Sequence, residues 1–257
     1  MSTTVKRGYS PNDQKEFSGE SVDKLLKAGR DLQYLLNQGY HIKGASTFVG
    51  NHYLLSERQR LALVRAVSSN ENIRMREGKE VKSIPRGSVV NIDGFNTIIT
   101  LEVELSGSLL LRSMDGTIRD LAALRGTYRV IDKTDSAIML MGQALEKSRV
   151  AKAIFYLDAP VSNSGRLKQR IIEILHPFPF ETEVEVIHNV DAVLEKLDNV
   201  ITSDAIILDK CVSWINLGAK IIGEMEGEYP CIDFRRLTEK SCTKWQNFGS
   251  GLSGLEN

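Results

Sequence analysis

The run Val89-Val90-Asn91-Ile92-Asp93-Gly94-Phe95-Asn96 is an apolar strand that breaks into an acid, a glycine, an aromatic residue and an amide. In a parallel α/β sheet the carboxyl end of a strand is where ligands and metals are met, so the break sets a carboxylate at a mouth. Two later strands end alike. Phe155-Tyr156-Leu157-Asp158 closes on an acid before Pro160, and Val200-Ile201-Thr202-Ser203-Asp204 delivers another where a helical pattern begins. Strands lying side by side would gather Asp93, Asp158 and Asp204. Carboxylates brought together repel one another unless a cation or a shared proton compensates, and hard oxygen ligands with open positions suit Mg²⁺ or Mn²⁺.

The rest of the chain supplies a frame for such a mouth. From Ser21 to Asn37 the apolar positions Val22, Leu25, Leu26, Leu32, Leu35 and Leu36 recur at helical spacing, with Gly39 as a stop. Ser56 with Gln59 forms a capping-box signature for a second helix through Val67. Residues 44–55 are loop-like, and the polar stretch 68–78, followed by 79–87 with Pro85, has the composition of a linker. Beyond Asp93, helical periodicity is expected at 117–124, 136–147, 164–175 and 191–197. Strands are expected at 88–92, 150–157, 183–187, 200–203 and 220–223. This alternation predicts an α/β fold with a mostly parallel sheet of about five strands, preceded by a small helical domain. The expected organisation is a polar tail over 1–18, a basic helical module over 19–80, the α/β domain over 84–230 and a C-terminal extension over 231–257, whose Gly/Ser-rich end has a flexible composition.

Net charge is zero over 257 residues but unevenly spread. Residues 1–87 hold 15 Lys/Arg against 9 Asp/Glu, a balance of +6, and the remainder holds 18 against 24, or −6. Three cysteines without CxxC spacing point away from a zinc ribbon or a disulfide scaffold and toward a reducing, cytoplasmic setting. No charged-then-apolar leader opens the sequence, and no apolar run approaches the roughly 18 residues that cross a bilayer, so no membrane partner is expected.

The three acidic strand ends resemble the NYN branch of the PIN-like ribonucleases. Asp93-Gly94-Phe95-Asn96 resembles that group's Asp-Gly-aromatic-Asn turn, Phe155-Tyr156-Leu157-Asp158-Ala159 its central strand and acid, and Thr202-Ser203-Asp204 its late Thr-Ser-Asp. Most of the chain also resembles a microbial family described as domain of unknown function 434 with a C-terminal companion domain. The nuclease resemblance covers residues 88–225 and implies a Rossmann-like, PIN/NYN-like sheet. It further implies a metal-dependent phosphodiesterase acting on RNA or another phosphodiester, in which Asp93, Asp158 and Asp204 hold Mg²⁺ or Mn²⁺, Asn96 positions water or a carboxylate, and Asp191 is an additional ligand. The segment 105–128 has no counterpart in that group.

Two further stretches bear on the substrate. Ser162, Asn163, Ser164, Arg166 and Lys168 follow the central strand at an expected helix start, the ingredients of a phosphate site. Arg58 and Arg65, seven apart on one helix, share a face that could hold nucleic acid. Asp93, Asp204 and Asp191 also have structural readings as turn formers or helix caps. Two other functions fit the same residues: a non-catalytic nucleic-acid or nucleotide-binding module, and a small-molecule phosphohydrolase.

Overall fold

A computed structural model describes residues 5–122, 126–225 and 229–237. Its elements run α1 (Asp13–Glu16), α2 (Gly19–Asn37), α3 (Ile42–His52), α4 (Glu57–Ala66), α5 (Asn70–Lys79), β1 (Val89–Asp93), α6 (Gly94–Leu105), β2 (Leu110–Arg112), β3 (Ile118–Asp120), α7 (Thr134–Lys147), β4 (Lys152–Asp158), α8 (Ser164–Leu175), β5 (Glu181–Ile187), α9 (Val190–Leu194), β6 (Val200–Ile201), α10 (Ala205–Lys210), β7 (Trp214–Ile215), α11 (Leu217–Glu224) and β8 (Cys231–Asp233), closed by a 3₁₀ turn at Phe234–Leu237. None of these helices is long and apolar enough to cross a membrane.

Five strands form one parallel sheet in the order β5-β4-β1-β6-β7. The chain starts at β1, builds outward through β4 to β5, then returns to the other side of β1 with β6 and β7. Strand order therefore reverses between β1 and β6, the arrangement of a Rossmann-like sheet, in which ligands meet the crevice outside the carboxyl ends at that reversal. The sheet core is a continuous apolar cluster including Val90, Ile92, Ile98, Leu101, Phe155, Leu157 and Ile201. A parallel strand covered on both faces needs such unbroken apolar runs.

A second sheet, ordered β3-β2-β8, is built from an antiparallel β2-β3 pair and the C-terminal β8, which runs parallel to β2. Its apolar side chains Leu109, Leu111, Met114, Leu121, Ile232, Phe234 and Leu237 pack in one cluster with Val22, Leu25, Leu32, Ala62 and Leu63 of the N-terminal helices. Gly29 makes room there, since a Cβ on it would stand 2.8 Å from Leu237.

Several local expectations are corrected. Residues 220–223 are helical within α11, and the fifth strand is Trp214–Ile215, extended by a bridge to Glu80. The stretch expected to be helical from Thr117 forms β3, and residues 123 and 124 lie outside the described residues. The loop-like stretch 44–55 is largely α3, and most of the linker-like stretch 68–78 belongs to α5. The start of the C-terminal extension is ordered in β8, while residues 238–257, including the Gly/Ser-rich end, lie outside the described residues. In the polar tail, Arg7 donates to the fully buried Glu102 carboxylate at 2.8 Å.

Candidate active site

Asp93 sits where β1 gives way to α6. Its carboxylate caps that helix, accepting the Asn96 N–H at 3.4 Å, and also accepts the Thr202 hydroxyl at 2.8 Å from the end of β6. Gly94 follows because the backbone presses onto β4: a Cβ would meet the Leu157 side chain at 2.6 Å and the Tyr156 carbonyl at 3.1 Å. Only 8% of Asp93 is exposed. Burial pushes its carboxyl up to about 7, repulsion from Asp204 and Asp191 adds to this, and the Thr202 and Asn96 donors pull the other way.

Asn96 joins the two strand ends across the reversal. Its amide oxygen accepts the backbone N–H of Ser203 at 2.8 Å and the Ser203 hydroxyl at 2.9 Å. Asp204 caps α10, accepting the N–H groups of Ile206 at 2.7 Å and Ile207 at 3.4 Å. Asp158, half-buried at the end of β4, accepts the Val190 N–H at 3.4 Å. Asp191 lies in the first turn of α9, where the N-cap position is Asn189. Although exposed at the rim, Asp191 is crowded by protein, and its carboxyl is raised first by lost hydration and then by Asp204, Asp158 and Glu195.

Thus Asp93 lies within reach of the charges on Asp204 and Asp191, and Asp191 within reach of those on Asp204 and Asp158. Among the described residues no three His, Cys, Asp or Glu side chains gather as a ready-made metal shell. Each of Asp93, Asp158 and Asp204 is instead held by its own N–H or O–H donors.

The mouth is braced from behind by a buried ionic network that includes Asp115 and Arg119, neither of which was singled out as a site residue. Asp115 sits in the turn joining β2 to β3 and accepts Arg76 of α5 and Arg119 of β3, each at 2.6 Å, while Thr117 donates both its N–H and its hydroxyl to it. Burial alone would raise the Asp115 carboxyl, yet Arg119 and Arg76 hold it below its ordinary range. Arg119 then donates to the Ser203 carbonyl at 2.7 Å, one residue before Asp204, and to the Arg65 carbonyl. Asp-Gly-Thr in the sequence signals the turn, but nothing local signals Arg76 as its partner.

The proposed phosphate loop is largely engaged with the segment after β3. Ser162 accepts the Tyr128 N–H at 3.0 Å, Asn163 donates to the Tyr128 carbonyl at 2.6 Å, and Ser164 is buried. Arg166 is exposed and Lys168 half-exposed.

Arg58 is tied within the molecule, donating to the Asp13 carboxylate and to the carbonyls of Gly8 and Leu121. Replacing Arg58 with Gln should therefore lower unfolding free energy by on the order of 2 kcal/mol. Chemical denaturation checks this; an unchanged midpoint would mean that these contacts add nothing to the fold. Arg65 is more exposed and donates to the carbonyl and carboxylate of Asp120. It lines a cavity of about 700 Å³ that opens between the N-terminal helices and the mouth and is also lined by Tyr40, Asn96, Arg119, Ser203 and Asp204.

Comparison with known proteins finds two family models. Residues 82–220 match the family described as "Domain of unknown function (DUF5616)", and residues 24–79 match the one described as "Protein of unknown function (DUF434)". The chain is 38% identical over 186 residues to the uncharacterized protein MJ0935 of Methanocaldococcus jannaschii, covering 72% of this chain and 88% of that relative. No solved structure matches.

Proposed function

Since the chain belongs to the family that carries DUF434 and DUF5616 domains, whose descriptions supply no chemistry, we propose its function from the carboxylate mouth itself: a divalent-cation-dependent phosphodiesterase acting on RNA or a related phosphodiester. One observation carries this reading. Asp93 and Asp204 flank the point where strand order reverses, with Asp158 and Asp191 beside them, and the charges on Asp93 and Asp191 are disfavoured first by burial and then by their acidic neighbours. A cation relieves that repulsion, and carboxylate oxygens are the donors Mg²⁺ and Mn²⁺ prefer. Asp93, Asp158, Asp191 and Asp204 are the residues to hold it. When bound, such a metal lowers the pKa of a water and neutralises charge on a scissile phosphate.

The chain's own residues prepare the mouth. Thr202 and the Asn96 N–H fix the Asp93 carboxylate, and Asn96 locks the Ser203 backbone so that Asp204 emerges next to it. The similarity of the Asp93, Asp158 and Thr202-Ser203-Asp204 segments to the NYN branch of the PIN-like ribonucleases supports RNA as the polymer. A second reading, a nucleic-acid or nucleotide-binding module without turnover, is favoured by the absence of any three-ligand shell among the described residues. Purified protein with Mn²⁺ is expected to cleave single-stranded RNA. Asp158→Asn and Asp204→Asn are expected to reduce cleavage to background while folding normally, because an Asn side chain can still accept the Val190 N–H in place of Asp158 and can cap α10 in place of Asp204. RNA binding without any turnover sensitive to these substitutions would replace the enzyme by the binding module.

A further inference from the structure

Strand β6 is only two residues long, Val200–Ile201, so the sheet ladder ends before the chain reaches Asp204. The backbone that carries this acid must find its hydrogen bonds elsewhere. Side chains supply them: Asn96 of α6 accepts the Ser203 N–H at 2.8 Å, Arg119 of β3 donates to the Ser203 carbonyl at 2.7 Å, and Thr202 accepts the Asp204 N–H at 3.0 Å. Ser203 is thus gripped by both of its backbone polar groups. The helix that follows, α10, has six residues, too short to hold its own place, and buries only Ile207 and Leu208. Its far end is held too. Asp209 accepts Arg76 at 2.6 Å and Asn72 at 3.3 Å, both from α5, and the Arg76 carbonyl is itself fixed by the Trp214 indole N–H at 2.7 Å.

The two arginines meet on one carboxylate. Arg76 and Arg119 each donate to the same Asp115 oxygen at 2.6 Å, and all three side chains are buried. A buried ionic group is a poor means of stabilising a fold, since apolar replacements often do as well. What a guanidinium adds is a planar fork that joins fixed acceptors in fixed directions. Resting on the reading of the mouth given above, we propose that Arg76 and Arg119 are positioning residues: paired on Asp115, they clamp α10 at its two ends and set where the Asp204 carboxylate stands. Arg76 belongs to the DUF434 segment, and Asp115, Arg119 and Asp209 to the DUF5616 segment, so the helical half supplies one arm of a clamp that acts on the other half.

The test is hydrogen–deuterium exchange of the full chain, read over α10 and β4, together with steady-state cleavage of single-stranded RNA. Lysine keeps a charge for Asp115 but lacks the fork that spans several acceptors, so Arg119→Lys separates the clamp from the charge. Exchange over α10 should quicken about ten-fold, the weight of one lost hydrogen bond to a charged group, while β4 stays as in wild type. For cleavage, kcat should fall about ten-fold or more with KM unchanged, because a displaced group slows the reaction without weakening binding. Asp209→Ala leaves the pairs on Asp115 intact and should quicken α10 to a smaller degree; it alone decides if Arg119→Lys does not fold. Helix α8 runs from the end of β4 back to the start of β5, so its last residue, the buried Leu175, lies opposite the mouth. Leu175→Ala is therefore the control for general loss of stability and should leave kcat unchanged. An α10 that exchanges as in wild type in the clamp variants, or that quickens as much in Leu175→Ala, overturns the clamp. Wild type that cleaves no RNA discards the phosphodiesterase and leaves the clamp to the exchange data; cleavage with kcat unmoved in Arg119→Lys discards the positioning role and keeps the phosphodiesterase.

Discussion

Replacing Asp115 with Ala should cost the folded protein about 3–5 kcal/mol, because it strands two buried guanidiniums. Asp115 has no exposed side-chain surface, and its Arg76 and Arg119 partners are almost as enclosed. Arg76 would retain Asp209, which is about one-third exposed, and Arg119 would keep only carbonyl acceptors among its described hydrogen bonds. In a protein of this size such a loss corresponds to a fall in melting temperature on the order of 10 °C. Removing the outer acid instead, by Asp209→Ala, should cost roughly 1 kcal/mol or less, since Asp209 is partly solvated and Arg76 keeps its buried partner Asp115. Urea unfolding of the two variants compares them directly. Similar small losses would mean that water reaches the arginines and that the network is no ionic core.

Asp93→Asn should have the opposite sign. In the folded protein the Asp93 carboxyl titrates near 7, against an ordinary 3.8. Between those values the native state keeps a proton that the unfolded chain has lost, so this group's contribution to stability falls as pH rises from about 4 to 7 and stays low above. Asn cannot ionise, and it can still accept the Asn96 N–H. At pH 8 without divalent cations the variant should therefore be more stable than wild type by up to about 4 kcal/mol, from roughly three pKa units at 1.36 kcal/mol each. Below about pH 3 the difference should vanish, because Asp93 is then protonated in both the folded and the unfolded chain. Mn²⁺ should then stabilise wild type by replacing the missing proton, and leave Asp93→Asn with little or no shift. Parallel pH profiles for the two proteins would show that Asp93 is ordinarily solvated and remove the electrostatic basis of the mouth.

How much of this was legible depended on whether the signal was local. The ends of β1, β4 and β6 could be located because each is an apolar run stopped by an acid, and α4 because its Ser56–Gln59 capping box forms as written. The Rossmann-like parallel sheet followed from the alternation. Helix α3 was hidden because the residues it buries are Ala45, Ser46, Val49 and Gly50, small groups that leave a faint stripe; Gly50 is needed where the Arg60 guanidinium lies 2.6 Å from a would-be Cβ. Helix α5 buries only Arg76, so hydrophobic periodicity had nothing to detect. Lys220-Ile221-Ile222-Gly223 is too short for its apolar pair to separate helix from strand. The second sheet has three-residue strands, and β2 pairs with β8 across nearly half the chain, a relation no window contains. At the site, the carboxylates were visible by residue type, while the Asn96–Ser203 clasp and the Arg119 brace exist only after the strands are side by side.

The plug formed by Phe234 and Leu237 in the N-terminal helices has a consequence for how the molecule comes into being. The helices are synthesised first, yet their cluster is completed by side chains that emerge about two hundred residues later, a contact order that slows closure. Until then the part of this cluster that Phe234 and Leu237 cover has no cap, and uncovered apolar surface invites association with other chains. The two family matches divide the sequence near residue 80, but the fold does not divide there: a cut at that boundary splits a single hydrophobic core.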